Sequence, residues 1–188
     1  YGGLSGFPKR EESPCDAYDT GHSSTSISAG VGYVCASKVS GEEYHVVSVI
    51  GDGALTGGMA YEALNNAASL NKNFVIVLND NKMSISENVG GISSYLSNLR
   101  TAESYTDLKS EVKKTLNKVP GIGPVMVQRI HKTKDSIKQL MIPGMFFEDM
   151  GIKYLGPVNG HDCGRMIQVF QEAKKVNGPV LVHVQTEK

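Results

Sequence analysis

Two short turns rich in oxygen carry the chemistry that this sequence can do. Gly51-Asp52-Gly53-Ala54 sets one carboxylate between two glycines, and Asn79-Asp80-Asn81 presents two amides and a carboxylate about thirty residues later. Glycine lacks a Cβ, so backbone N–H groups there can come close to an anion while the carboxylate turns toward a cation. Magnesium takes one or two carboxylates, neutral oxygens, and the oxygens of a bound phosphate. Asp52 with an asparagine oxygen, bridged by a diphosphate, would meet that demand. Each turn alone is ordinary turn chemistry; their ordered pairing is what points to a site.

The pairing depends on the elements that carry the turns. Residues 46–50 and 74–78 are short, β-branched, nearly continuous apolar runs, the pattern of strands covered on both faces. Residues 59–68 between them are strong helix formers, which predicts a β-α-β unit with a right-handed crossover. Residues 1–20 mix glycine, proline and charge without a period and read as loop. A helix is expected over 24–39, stopped by Gly41. Residues 82–141 read as an insertion: a loop to about Ser94, then helical patterns near 94–101, 106–118 and 124–141. The alternation resumes with a helix at 144–150, a strand at 152–155, a helix at 162–176 and a strand at 180–184. The predicted fold class is therefore α/β, a mostly parallel sheet with helices on both faces. In such a sheet ligands sit outside the carboxyl ends of the strands, where both turns lie.

Composition narrows the class. A chain of 188 residues is one domain by size. With 40% apolar and 20% charged residues it is neither disordered, collagenous nor a disulfide scaffold. Nineteen basic residues balance nineteen acidic ones, so the bulk charge selects no polyanionic partner. Cys15, Cys35 and Cys163 lack zinc or redox spacing and read as reduced thiols of a cytoplasmic protein. No apolar run approaches the roughly 18 residues of a spanning helix, so no membrane partner is expected.

The spacing from Gly51-Asp52-Gly53 to Asn81 resembles the thiamine-diphosphate fingerprint of transketolase-like enzymes. Three stretches narrow the resemblance to the 1-deoxyxylulose-5-phosphate synthase family: Gly21-His22-Ser23-Ser24-Thr25-Ser26, Ile50-Gly51-Asp52-Gly53-Ala54, and the run from Leu78 through Asn81, Met83 and Asn88 to Gly90. Gly156-Pro157-Val158-Asn159-Gly160-His161-Asp162 is similar to the same family, so the likeness covers nearly the whole chain. The resemblance implies a thiamine-diphosphate-binding fold with a helical insertion. It implies magnesium ligands at Asp52, at the Asn81 side chain and at the Met83 carbonyl, and cofactor contacts from Gly21, His22, Ser23, Gly53, Ala54 and Asn81. The family reaction condenses pyruvate with glyceraldehyde 3-phosphate, with loss of carbon dioxide, for isoprenoid, thiamine and pyridoxal synthesis. A homodimer is implied at full length.

By the same resemblance, the glutamate that activates the cofactor belongs to a second domain, and further active-site histidines would precede Tyr1. The chain is thus expected to be a diphosphate-binding domain over 1–188, truncated at both ends and inactive alone. It is also expected to expose an apolar face, and so to self-associate or bind a hydrophobic dye.

Other readings attach to several residues. His22 also reads as a loop histidine beside a helix start, and Ser23, Ser24, Thr25 and Ser26 as sources of capping oxygens. Glu62 belongs to the helix after the first turn and is not expected to be the catalytic carboxylate. Asp162 is a predicted N-cap and His161 a loop residue; His45, His131 and His183 have no carboxylate or cysteine at ligand spacing and read as structural. The alternative function comes from Val119-Pro120-Gly121-Ile122-Gly123-Pro124, which resembles the turn of a helix-hairpin-helix DNA-binding module over 105–140. Eight Lys or Arg between 109 and 138 oppose Glu111 and Asp135 there. The apolar Val125, Met126 and Val127 after that turn, and flanks that match the synthase, argue for a chance turn and against a nucleic-acid partner.

Overall fold

The computed structural model describes residues 2–84, 86–101 and 145–187. Four parallel strands form one sheet: β1 (Val47–Gly51), β2 (Phe74–Asp80), β3 (Lys153–Asn159) and β4 (Pro179–Gln185), in the order β1-β2-β4-β3. Seven helical segments were expected from the sequence, and six α-helices lie among the described residues: α1 (Ser26–Ser40), α2 (Asp52–Leu55), α3 (Gly58–Ala67), α4 (Gly91–Thr101), α5 (Met145–Asp149) and α6 (Cys163–Ala173). The helical patterns expected at 106–118 and 124–141 lie outside the described residues, as does the whole 105–140 hairpin pattern.

The strands form where β-branched runs allow burial on both faces. One core contains Ile27, Ile50, Leu64, Phe74, Ile76 and Leu181, between the sheet and the helices on the α1 and α3 side. The other contains Val75, Val77, Leu155, Val169, Val180 and Val182, beneath α6. Helices therefore cover both faces, as the alternation predicts. Coverage of the α6 side stops short of the edge strand: Val47 and Val49 of β1 are 55% and 60% exposed.

Close helix–sheet packing at α1 has a sequence cause. A Cβ at Gly30 would land on Ser48 Oγ and on the Phe74 ring, so only glycine lets α1 approach so near. Ser48 Oγ then donates to the Ser26 carbonyl at 2.7 Å. The helix starts two residues later than expected because Ser24 takes a left-handed conformation, φ 68°. The expected capping oxygens are not used either. Thr25 stands at the N-cap position without a side-chain cap bond, and its Oγ1 lies 3.2 Å from Tyr18 Oη. At the other end Gly41 closes the helix at φ 74°, as the sequence predicts. Asp162 does cap α6, accepting from the Arg165 N–H at 2.9 Å.

Candidate active site

Parallel pairing of β1 with β2 puts Gly51 opposite Asn79, so both oxygen-rich turns leave the sheet side by side at its carboxyl edge. Asp52 opens the short α2 and is 1% exposed. Its Oδ2 accepts from Asn88 Nδ2 at 2.7 Å. The backbone N–H groups of Gly53 and Lys82 favour its ionised form. Burial pushes the Asp52 carboxyl above its ordinary value, and the neighbouring Asp80 pushes it further.

Asp80, the last residue of β2, is equally buried and behaves in the opposite way. Burial alone would raise it, but the hydrogen bond from His183, the one from Asp52 and the Arg100 charge outweigh burial and hold it below the ordinary carboxylate range. His183 Nε2 lies 2.8 Å from Asp80 Oδ2 and Arg100 Nε lies 3.2 Å from the same oxygen. Tyr154 Oη is 2.7 Å from His183 Nδ1. Burial raises the Tyr154 phenol far above its ordinary value, so it keeps its proton. The ionised Asp80 carboxylate can only accept, so the Nε2–H of His183 donates to it.

The turn beyond Asp80 is held by two successive side-chain bonds. The Lys82 N–H donates to Asp80 Oδ1 at 3.2 Å, and the Met83 N–H donates to Asn81 Oδ1 at 3.0 Å. Lys82 takes φ 68°, a left-handed conformation that costs a non-glycine residue about 1 kcal/mol. From there the chain folds back through an antiparallel bridge, Met83 to Glu87, which delivers Asn88 to Asp52. Gly53 permits that return, since a Cβ there would stand 2.7 Å from Ser84 Cβ.

Of the residues singled out in the sequence, Asp52 and Gly53 lie in the first turn and Asn81 and Met83 in the second, beyond the paired ends of β1 and β2. Ala54 is joined to the N-terminal segment, because Ser24 Oγ donates to its carbonyl at 2.7 Å. Gly21, His22 and Ser23, immediately before that anchor, are exposed, and His22 Nδ1 lies 2.6 Å from the Ser23 carbonyl. His161 serves the loop: its Nε2 accepts from the Glu187 N–H at 3.1 Å. Glu62 is an exposed residue of α3. A cavity of about 770 Å³ lies beside the second turn, lined by Asn81, Met83, Arg100, Asn159, His161 and Thr186 among others.

His183, read as structural because no carboxylate stands at ligand spacing, is fully buried and has partners that its sequence spacing does not show. It has a carboxylate partner in Asp80, hidden because the two stand 103 positions apart and meet only across β2 and β4. Asp80, Arg100, Tyr154 and Asn88 were given no individual role from sequence. Asp80 and Asn88 carried a signal, since both lie in the run quoted for the family resemblance and Asp80 is the carboxylate of the second turn; Arg100 and Tyr154 carried none.

The donor set suits a magnesium ion. Asp52 supplies a buried carboxylate whose ionisation a cation would favour, and Asn81 Oδ1 keeps a second lone pair after accepting from Met83. With the Met83 carbonyl this makes one carboxylate and two neutral oxygens, hard donors of the kind magnesium takes. Asp80 is unsuited to be a further ligand, because both its oxygens are already bonded inside the protein. Among the described residues no cluster of three His, Cys, Asp or Glu side chains is placed to hold a metal. No helix among them is long and apolar enough to cross a membrane.

Known proteins agree with this architecture. The transketolase of Campylobacter jejuni superposes with a TM-score of 0.57 at 21% identity, covering 89% of this chain and 20% of the transketolase, which shows a shared fold. Proteins named 1-deoxy-D-xylulose-5-phosphate synthase from Lachnoclostridium phytofermentans and Carboxydothermus hydrogenoformans are each 56% identical over all 188 residues. One from Desulfitobacterium hafniense is 57% identical. The chain spans about 30% of the length of these relatives. The family profile described as 1-deoxy-D-xylulose-5-phosphate synthase matches residues 1–186, and the chain belongs to that family.

Proposed function

We propose that this chain binds the diphosphate of thiamine diphosphate through a magnesium ion, as one part of a 1-deoxy-D-xylulose-5-phosphate synthase. The observation that carries the reading is the placement of buried Asp52 against the Asn81–Met83 turn at the carboxyl edge of the sheet. Asp52, the Asn81 side-chain oxygen and the Met83 carbonyl would hold the metal. Gly21, His22, Ser23, Gly53, Ala54 and Asn81 would line the cofactor. When bound, thiamine diphosphate supplies the carbon nucleophile that accepts pyruvate and releases carbon dioxide. The protein's part here is to fix the metal and orient the diphosphate. Family membership supports pyruvate and glyceraldehyde 3-phosphate as the substrates, and a cytoplasmic homodimer as the form, of the longer protein. The 188-residue chain alone is expected to have no turnover, and product formed by the purified chain would overturn that expectation.

Thermal unfolding of the chain with thiamine diphosphate and magnesium tests the binding site directly. A ligand that binds only the folded state adds about 2.7 kcal/mol when present at 100 times its Kd. The melting temperature should rise only when cofactor and magnesium are both present, fall back with chelator, and stay unmoved in Asp52→Ala. A shift that persists in Asp52→Ala, or that ignores the metal, would overturn the assignment.

A further inference from the structure

The second turn contains a buried assembly that binding alone does not require. Asp80 bonds through one oxygen to the Lys82 N–H, and through the other to His183 and Arg100. His183 is fixed in turn by Tyr154. Tyr154 stacks on Phe147 of α5, with ring centroids 6.0 Å apart and planes 3° from parallel. Phe147 also meets Tyr95 of α4, the helix that carries Arg100. All these groups are buried or nearly so: His183 and the Asp80 side chain are 0% exposed and the Arg100 side chain 10%. Elements β2, β3, β4, α4 and α5 thus converge on one carboxylate that sits one residue before the proposed ligand Asn81.

We infer that Asp80, held by Arg100 and the Tyr154–His183 pair, is the positioning residue of the metal turn. It keeps Lys82 in its left-handed conformation and so keeps Asn81 and Met83 facing Asp52. Three observations carry this. Lys82 holds φ 68° without being glycine, and a backbone in that region persists only where its surroundings enforce it. The N–H of the same residue bonds to Asp80 at 3.2 Å and also favours the ionised form of Asp52, so the turn's conformation ties the two carboxylates together. Finally, Arg100 is anchored from α4 and reaches Asp80 without being near the metal ligands in sequence, so α4 carries part of the site's geometry.

This inference rests on the metal reading for its consequence, and on the turn itself for its mechanism, which allows two separate readouts on the full chain. Metal binding is measured with Mn2+ as the probe by paramagnetic resonance, with thiamine diphosphate present. Removing an outer partner of a metal ligand typically weakens metal binding about 10- to 100-fold. Asp80→Asn and Arg100→Met should each weaken Mn2+ binding by at least about tenfold without changing its saturating stoichiometry, whereas Asn81→Ala should abolish it. Arg100→Lys, which keeps the charge, should recover part of the loss. The second readout is amide hydrogen exchange in the metal-free protein. Exchange at Lys82 and Met83 should accelerate about tenfold or more in Arg100→Met while exchange in the β1 amides stays at the unmodified rate.

Unchanged exchange at Lys82 and Met83 in a folded Arg100→Met protein would overturn the positioning role, whatever the metal does. Equal loss in Arg100→Lys and Arg100→Met would overturn the part assigned to the charge. If the unmodified chain takes up no Mn2+, the metal reading fails, while the exchange comparison still decides the positioning role. Should Asp80→Asn not fold, the Arg100 pair carries the test alone.

Discussion

Asp52, the first residue after β1, and Asp80, the last residue of β2, stand at the ends of neighbouring parallel strands, are buried to the same degree, and differ in almost everything else. Asp52 has neutral donors for partners, Asn88 and the N–H groups of Gly53 and Lys82, and its carboxyl is pushed up. Asp80 has Arg100 and His183, and its carboxyl is held down. A buried carboxylate short of a cationic partner is a group that favours a cation; one already supplied with Arg100 is a fixed part of the frame. On the proposed reading, two acidic residues one strand apart divide the work of binding and of holding. The division comes from what the helices and strands around them deliver, not from the residue type.

The sharpest way to break that contrast is to remove each carboxylate and compare stabilities without metal. Asp80→Ala leaves Arg100 and His183 buried without their shared acceptor, and breaking such a pair from one side costs about 3–5 kcal/mol. Asp52→Asn keeps the shape and turns a contact between two acids into an amide donating to Asp80. A hydrogen bond of that kind is worth about 1 kcal/mol, so the variant should be as stable as the parent or slightly more so. Urea titration reads both. Similar losses in the two variants would show that the carboxylates are equivalent and the contrast unreal.

Acid titration separates them a second time, with smaller amplitude. The Asp80 carboxyl lies below its ordinary 3.8, so its stabilisation is present above that value and is lost as pH falls through the lower, folded-state value. Asp52 lies above 3.8, so its contribution has the opposite sign: full below 3.8 and lost as pH rises through the higher, folded-state value. Metal-free stability should therefore climb out of the acid limb and then sag toward neutrality. Asp52→Asn removes the sag and leaves the acid limb; saturating magnesium should also remove the sag, by favouring the ionised form. A sag that survives in Asp52→Asn would assign it to another group.

The contrast also explains what the sequence revealed. The four strands, the glycine-flanked Asp52 and the Gly41 stop are local patterns, written within a few residues of one another, and each was legible. The turns of Asp52 and Asn81 were legible as neighbours because a single β-α-β unit sets their strands side by side. Asp80 was visible only as an oxygen in a turn. Its partners are 20 and 103 positions away, and the second meets it diagonally across β2 and β4, where Leu78 pairs with His183. That neighbour relation depends on the strand order β1-β2-β4-β3, which no local periodicity encodes. Ser24 was misread for a related reason: Ser is a good capping residue, but its hydroxyl was taken by the Ala54 carbonyl thirty positions on.

Ser24 and Lys82 offer the smallest and most discriminating comparison, because both hold φ 68° without being glycine, one at the approach to each turn. Glycine relieves the left-handed cost at either position but loses more conformational freedom on folding, so the backbone change alone is worth no more than about 1 kcal/mol. At Lys82 the side chain is exposed, and the bond of its N–H to Asp80 survives substitution. Lys82→Gly should therefore gain up to about 1 kcal/mol in melting experiments. At Ser24 the same change deletes the hydroxyl that donates to Ala54, a partly buried bond worth about 1 kcal/mol, and the gain should cancel. If Lys82→Gly is instead destabilising by as much as Ser24→Gly or more, the left-handed conformation is not a strain that Asp80 holds in place. The second turn would then be a relaxed loop like the first, and the asymmetry between the two would reduce to the charges on Asp52 and Asp80.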